Sequence, residues 1–519
     1  MKAATLRTFI SVHTWVGLVA GFFLFIAFFA GSVTLFHEEL HAWETPLPQT
    51  AAPQGDPHAL IDAVLQAHPK AKEVFVLRMP TKAEPQMALE FDERHFRFDA
   101  QGKLEEFHAR SQLVDFIYRL HYTAGLPNSW GIYVLGVVCI LYGLALASGV
   151  IIYAPSFFKD LFALRIGKNT KRMWQDAHNA IGMLSLPFHL MYAWSSAVLA
   201  LGIILLAPFQ YMIFDGKLLQ LVGQDINAAA PPKAAGMAAP LMSASQLLAE
   251  VQRVAPGIEI ETMIYRQAGD ANAQLQAYGP IHQKTVASIG AVVLNASSGK
   301  VQRVMMPDNY SPGTRFLRSL QMLHFGSFGD AAVQWMYFVL GMAGAFLFYS
   351  GNLLWIEARR KRQKLMQPRS GRLMAQATLG VCLGCVAGVS AVFLANKLGP
   401  AGQLPLWETR SYYAVFCGCV LWAFVRPPAR AAHELLMLCA ALTVAVPFAH
   451  WCNTGLNPLL AMLQGESIVT GVAVLALLFA TLYLRMARAA LHRGHHGDPH
   501  SVWSLRAPQQ RAAEVQQAA

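Results

Sequence analysis

The sequence predicts a mainly α membrane protein with eight transmembrane (TM) helices and two small α+β modules outside the membrane. Hydrophobic residues make up 55% of the 519 residues and charged residues only 14%, a composition typical of membrane proteins. The apolar runs are long enough to span a bilayer as helices. Two longer polar segments alternate apolar and polar residues as strands do, and they are too polar to lie within a bilayer.

The basic residues predict how the helices are oriented. The net charge is +11, and lysines and arginines gather near the N-terminus and in residues 159–172, 357–364, 426–430 and 485–493. Every second inter-helix segment is therefore basic, as the positive-inside rule expects of cytoplasmic segments. We expect a multi-pass protein of the bacterial inner (cytoplasmic) membrane with both termini in the cytoplasm. Since topology accounts for the charge, the lipid bilayer is an expected partner and nucleic acid is not.

Residues 1–155 are predicted to form one TM–module–TM unit. The first TM helix covers about residues 7–37. After a Pro-rich linker, a helix that begins at Asp56-Pro57 is followed by three strand-like runs, and together they form a periplasmic α+β module at about 56–110. Proline is favoured in the first turn of a helix. An amphipathic helix and a second TM helix at about 130–153 complete the unit.

Residues 156–365 repeat that order, which indicates an internal duplication. A TM helix at about 177–206 precedes an Ala/Pro-rich linker, a second periplasmic α+β module at about 243–306 and a TM helix at about 331–356. Four matched landmarks recur in the same order: His13-x-x-x-Gly17 with His178-x-x-x-Gly182, Leu120-His121 with Leu323-His324, Ser148-Gly149 with Ser350-Gly351, and Asp99–Lys103 with Asn295–Lys300.

Residues 366–490 are predicted to add a block of four TM helices that lacks a module and the duplicated histidines. Its apolar runs lie near 374–395, 411–425, 433–451 and 467–486, which brings the total to eight. Residues 491–519 are predicted to form a cytoplasmic tail. We interpret its His-rich start as disordered polar sequence rather than as a metal site.

The repeat turns single histidines into pairs. A pseudo-two-fold axis along the membrane normal would bring His13 to His178 near the cytoplasmic face, and His121 to His324 near the opposite face. Imidazole is a common axial ligand of haem iron, and ionisable groups within a membrane are costly and usually functional. The pattern therefore predicts two bis-histidine sites, although histidines at the interface also occur in purely structural roles.

His189 has no counterpart in the repeat, where Leu24 stands at the matching position. In an unbroken helix it lies on the same face as His178 at a distance of about 16 Å. Two interpretations stay open. His189 is a ligand of the outer site together with His121 or His324, or it is a buried, hydrogen-bonded histidine.

Four motifs resemble those of one known family. They are HTWVG at 13–17, RLHYTAG at 119–125, WQDAHNAIG at 174–182 and MLHFG at 322–326. The modules that close on DAQGK and NASSGK resemble PepSY domains, and over about residues 1–365 the order resembles the PepSY-associated transmembrane family, which includes inner-membrane reductases of ferric siderophores. The resemblance implies two haem b groups whose iron is bound by His13, His121, His178 and His324; His189 is added by spacing alone.

The function implied by the resemblance is that of a transmembrane ferric-siderophore reductase. Such an oxidoreductase passes electrons to a periplasmic ferric siderophore and releases Fe(II) for uptake.

The chain has no G-x-G-x-x-G after a strand, a motif of dinucleotide-binding domains. We therefore expect a membrane quinol or a separate cytoplasmic protein as the electron donor. The chain is read as having no metalloprotease motif and no Ser/His/Asp grouping, and His37 and His41 receive no role. The alternative is a haem-free assembly, sensing or accessory protein of iron uptake whose PepSY modules bind a partner.

Overall fold

The computed structural model describes residues 3–44, 55–81, 86–92, 94–99, 101–107, 111–157, 165, 169–218, 223, 228–281, 289–360, 367–400 and 402–506. The chain divides into two compact units. The helical unit consists of Met1–Thr45, Arg110–Leu201 and Gln334–Ala519, and the sheet unit consists of Pro46–Ala109 and Gly202–Val333.

Most described residues are helical, which confirms the mainly α prediction. The helices are α1 (Ala3–Thr34), α2 (His37–Glu44), α3 (Pro57–Ala67), α4 (Leu113–Thr123), α5 (Asn128–Tyr153), α6 (Thr170–Leu184), α7 (Leu186–Met212), α8 (Ala244–Val254), α9 (Pro312–Phe325), α10 (Ala331–Ala358), α11 (Arg369–Thr378), α12 (Gly384–Leu398), α13 (Leu404–Val425), α14 (Pro428–Thr454), α15 (Pro458–Gln464) and α16 (Ser467–His496). A π-helical segment, Leu379–Leu383, joins α11 to α12.

Seven helical segments in the described part of the chain are long and apolar enough to cross a membrane. They are α1, α5, α7, α10, Arg369–Leu398, α14 and α16. The predicted run at 411–425 lies in α13, whose first half carries Glu408 and Arg410 and is therefore less apolar. These helices make the chain a multi-pass membrane protein. The predicted count of eight spans is not confirmed.

The predicted single helix at 177–206 is divided at Ser185. This residue has left the helical conformation (φ −100°, ψ 16°), and its hydroxyl donates to the Ile181 carbonyl oxygen at 2.5 Å. Pro187 follows in the first turn of α7 and brings no backbone N–H. His178 therefore lies on α6 and His189 on α7, so the distance of about 16 Å between them, which assumes an unbroken helix, does not apply.

Small residues allow close packing in the C-terminal block. A Cβ atom added at Gly380 would lie 2.9 Å from the Cα of Val420, and one at Gly388 would lie 2.8 Å from the ring of Tyr412. Gly384 lies midway between them, and glycines at this four-residue spacing let helix backbones approach closely, as is common in membrane proteins. The block is therefore a tightly packed bundle.

The prediction of a disordered tail from residue 491 is wrong for the described part of that segment. The last helix, α16, continues to His496, and Trp503 donates its indole N–H to Glu357 at 3.2 Å. Arg360 also pairs with Asp498 at 2.9 Å. Side-chain contacts with α10 and its C-terminal end thus order the start of the tail, while residues 507–519 fall outside the described part.

Both α+β segments lie in the sheet unit and contribute four strands each. The strands are β1 (Val74–Arg78), β2 (Ala88–Phe91), β3 (Arg94–Phe98), β4 (Leu104–Phe107), β5 (Thr262–Arg266), β6 (Gln274–Pro280), β7 (Ile289–Asn295) and β8 (Val301–Met305). The third strand-like run predicted in each module forms a hairpin of two strands. Each module therefore has four strands, where the sequence predicted three.

The two sets of strands form one antiparallel sheet in the order β4-β3-β2-β1-β5-β6-β7-β8. Strand β1 pairs with β5 so that Phe75 lies opposite Tyr265, and their rings stack with centroids 4.7 Å apart. Leu60 of α3 and Leu247 of α8 are fully buried in the same apolar core. The sequence predicted two separate modules, whereas their edge strands join into one sheet with one core.

Candidate functional site

His13 and His178 lie side by side in the helical unit. Their ring centroids are 6.2 Å apart and the ring planes are inclined by 80°. A metal–imidazole bond is about 2 Å long, so two imidazoles on opposite sides of one ion have centroids about 6 Å apart. At the observed spacing the two imidazoles would hold one metal ion between them.

Each of these two rings is held by a backbone carbonyl of a neighbouring TM helix, α5 for His13 and α10 for His178. His13 Nδ1 donates to the Ala145 carbonyl at 2.8 Å, and His178 Nδ1 donates to the Leu347 carbonyl at 3.1 Å. Because a carbonyl only accepts, the proton is on Nδ1 and Nε2 carries a lone pair. No described residue hydrogen-bonds to either Nε2 atom. This is the arrangement of metal-binding histidines, whose second nitrogen is fixed by a hydrogen bond.

The duplicated Ser-Gly landmarks surround these imidazoles. The hydroxyls of Ser148 and Ser350 lie 3.4 Å from the Nδ1 atoms of the first and second ring, respectively. A Cβ atom at Gly149 would lie 3.0 Å from the first ring, and one at Gly351 would lie 3.2 Å from the second. Glycine is thus needed for the close approach. The serine–glycine pairs therefore set the position of both rings.

His189 is fully buried and one of its nitrogens lacks a partner. Its Nδ1 lies 2.5 Å from the Tyr142 hydroxyl, whereas the buried Nε2 has no hydrogen-bond partner among the described residues. The rings of Phe28 and Phe188 have centroids 5.8 and 6.0 Å from the imidazole. A buried polar atom without a partner costs about 1–3 kcal/mol. When Nδ1 donates to Tyr142, Nε2 carries a lone pair that a metal ion would satisfy.

His121 packs against the same turn of α1 as His189 does. Its Nδ1 lies 2.7 Å from the Ala27 carbonyl oxygen, next in sequence to the Phe28 ring that packs on His189. A Cβ atom at Gly31 would lie only 2.5 Å from His121 Nδ1, so this glycine makes room for the imidazole. His121 therefore lies close against α1, with the same Nδ1-to-carbonyl pattern as His13 and His178.

His324 belongs to the sheet unit. It lies in the last turn of α9, is 7% exposed and contacts the neighbouring Phe325 ring at 5.3 Å. The four other candidate histidines lie in the helical unit. The pairing of His121 or His189 with His324 therefore stays a prediction.

Sequence reasoning missed Tyr142, the partner of His189, because an aromatic residue in an apolar helix carries no distinguishing pattern. It also missed the spacing H-E-x-x-H at His37–His41, so the statement that the chain lacks a metalloprotease-type motif is wrong as to spacing. One ligand atom each from His37, His41 and Asp115 lie within 4.8 Å of one another. The helical spacing of the two histidines was the available signal.

Comparison with known proteins gives two matches. The family model described as PepSY-associated TM region matches residues 10–358, a range that includes all five candidate haem-ligand histidines. The chain is also similar to "Uncharacterized protein PA4219" of Pseudomonas aeruginosa, with 24% identity over 415 residues, which is 75% of this chain and 99% of that protein. The C-terminal block at 366–490 lies outside the family match.

Proposed function

The chain belongs to the PepSY-associated transmembrane family, and we propose that it is a haem-containing oxidoreductase of the bacterial inner membrane. The observation that carries the proposal is the matched pair of His13 and His178, whose centroids are 6.2 Å apart. Both rings are fixed at Nδ1 by carbonyls that occupy equivalent places in the repeat. Two structural histidines at a helix interface do not need this common orientation.

The donor set fits two haem b groups. His13 and His178 would hold one, and His189 with His121 or His324 would hold the other. When bound, haem supplies an iron that changes reversibly between Fe(III) and Fe(II). The chain fixes the imidazoles through Nδ1. It also excludes water from the second site by packing Phe28 and Phe188 around His189, which is 0% exposed.

The proposed substrate is a periplasmic ferric siderophore. Each Fe(III) accepts one electron and dissociates from the siderophore as Fe(II). The hard oxygen ligands bind the doubly charged ion less tightly than the triply charged one. A membrane quinol that gives up two electrons and two protons would reduce two such chelates; a separate cytoplasmic protein is the other candidate donor. The proposed topology places the sheet unit in the periplasm, on the side where the chelate is reduced.

The visible spectrum of the purified full-length chain tests the proposal. We expect a Soret band, an α-band after reduction with dithionite and about two haems per chain. A folded, monodisperse sample made with ample haem that lacks a Soret band would overturn the proposal. It would leave the haem-free accessory protein of iron uptake.

The substrate is tested by mixing the reduced protein with a ferric siderophore under anaerobic conditions. We expect the α-band to disappear and a colorimetric Fe(II) chelator to trap one Fe(II) for each electron lost. The iron-free siderophore serves as the control and should leave the α-band unchanged. Persistence of the α-band with a panel of hydroxamate and catecholate chelates would exclude the siderophore as acceptor.

A further inference from the structure

A second cluster of ligand-type side chains lies just after the end of α1 and includes one residue of α4, the helix that also carries His121. His37 and His41 are four residues apart on α2, so their side chains share one face, and their ring centroids are 4.4 Å apart. Asp115 in the first turn of α4 completes the group. One ligand atom of each residue lies within 4.8 Å of the other two.

This distance is close to what one metal ion requires. Bonds of about 2 Å from an ion to nitrogen or oxygen place two ligand atoms about 3–4 Å apart. Small rotations of the three side chains therefore suffice to close the site. All three side chains are partly exposed, so an ion can enter without unfolding of the surrounding helices.

Glu44 provides the hydrogen bond that metal-binding histidines need at their second nitrogen. Its Oε1 lies 2.5 Å from His41 Nδ1, a contact that fixes the orientation of this ring. The Glu44 side chain is 4% exposed, and its other oxygen accepts hydrogen bonds from Ser111 Oγ at 2.8 Å and Val114 N at 3.2 Å. A carboxylate that is itself hydrogen-bonded fixes the ring orientation and raises the basicity of the ligand.

The network behind Glu44 extends into the C-terminal block. Ser111 Oγ also lies 2.7 Å from Glu408 Oε1, and the Asn396 amide donates to both Ser111 and Glu408 at 2.9 Å. Glu408 is fully buried. The carboxylate that orients His41 is thus part of a rigid, buried framework rather than a mobile surface side chain, as a preorganised site requires.

We propose that His37, His41 and Asp115 bind one divalent first-row transition-metal ion, and that Glu44 is a positioning residue for His41. Two imidazoles and one carboxylate are a ligand set used for Zn²⁺ and for non-haem Fe²⁺. Three protein ligands leave further coordination positions open. The proposal does not depend on the proposed haem function and holds equally for a haem-free chain.

Equilibrium dialysis of the full-length chain in detergent tests the site. The chain is first stripped with a chelator and then dialysed against Zn²⁺ or, anaerobically, Fe²⁺, with His495→Ala and His496→Ala introduced in every sample to reduce background from the histidines of the C-terminal segment. We expect one tightly bound ion per chain. His37→Ala, His41→Ala and Asp115→Asn should each weaken binding more than tenfold, and Glu44→Gln about 10–100-fold.

His58→Ala is the matched control, because His58 also has an acidic side chain four residues away, Asp62, at 3.7 Å. It should bind the ion as the parent does. The size-exclusion profile establishes that each variant is folded, and Asp115→Asn keeps the shape of the side chain. Retention of the tight ion by both His37→Ala and Asp115→Asn would overturn the site. Unchanged binding by Glu44→Gln would overturn the positioning role.

Discussion

His13 and His178 lie with ring centroids 6.2 Å apart although they come from different copies of the internal repeat. Each is held by a carbonyl of a partner helix, Ala145 for the first and Leu347 for the second. The equivalence of the two contacts shows that the duplication extends from sequence landmarks to hydrogen-bond geometry.

Gly31→Ala should destabilise the helical unit, whereas Gly17→Ala should not. A Cβ atom at Gly31 would lie 2.5 Å from His121 Nδ1, while one at Gly17 meets nothing within 4 Å. Overpacking of this kind costs about 1–3 kcal/mol, and alanine in an open helix position is slightly favourable. Thermal unfolding in detergent, followed by tryptophan fluorescence, measures the difference. Equal midpoints for the two variants would contradict the placement of His121 against α1.

Tyr142→Phe should leave the haem content unchanged but shift the reduction potential of one haem. The hydroxyl that lies 2.5 Å from His189 Nδ1 is lost, and hydrogen bonds to a ligand's second nitrogen tune its basicity. Tyr192→Phe is the control, since its ring packs in the same aromatic group through Phe28. A potentiometric titration of both variants makes the comparison. Two potentials unchanged from the parent would remove His189 as a ligand positioned by Tyr142.

His189→Ala decides between the two interpretations of that residue. Loss of one haem is expected, because Nε2 of His189 is buried without a hydrogen bond and is the natural position for iron. If both haems stay, the second haem is held by His121 with His324, and His189 is a buried histidine bonded to Tyr142. The haem-to-protein ratio from the pyridine haemochrome distinguishes these results.

Phe75→Ala should destabilise the whole sheet, not only the first four strands. Phe75 is 1% exposed and stacks on Tyr265 across the β1–β5 pairing. Removal of a buried phenylalanine ring costs about 3–5 kcal/mol. Hydrogen exchange should therefore accelerate in β6 as well as in β2. Val74→Ala, at a position that is 40% exposed, is the control. Exchange that accelerates in β2 alone would mean that the two modules are independently stable.

The sequence predicted the repeat, the long helices and the proximity of His13 and His178, because each leaves a periodic or duplicated signal in the chain. It did not predict that β1 and β5 join, since pairing between strand edges depends on backbone groups that no residue type marks. Glu408 makes α13 less apolar than a typical span. Its hydrogen bonds with Ser111, the Gln112 backbone N–H and Asn396 explain how this carboxylate is buried.

Other features depend on contacts between distant parts of the chain. Asp115 comes from a different helix than His37 and His41, so the third member of that cluster has no local spacing. The break at Ser185 differs from these, because it arises locally from Pro187, whose missing backbone N–H a hydropathy pattern does not register. Contacts between residues far apart in the chain thus form the cluster of His37, His41 and Asp115, which local sequence patterns do not indicate.

The most direct test of the proposed function is the haem content of His13→Ala, His178→Ala and the double variant. If the two residues hold one haem together, each single variant should carry about one haem per chain instead of two, and the double variant should lose no more. His433→Ala is the matched control, because the Nδ1 of His433 also meets a backbone carbonyl, that of Ala487, at 3.1 Å; it should keep both haems. Two haems per chain in the folded double variant would contradict the proposal that His13 and His178 hold one haem together.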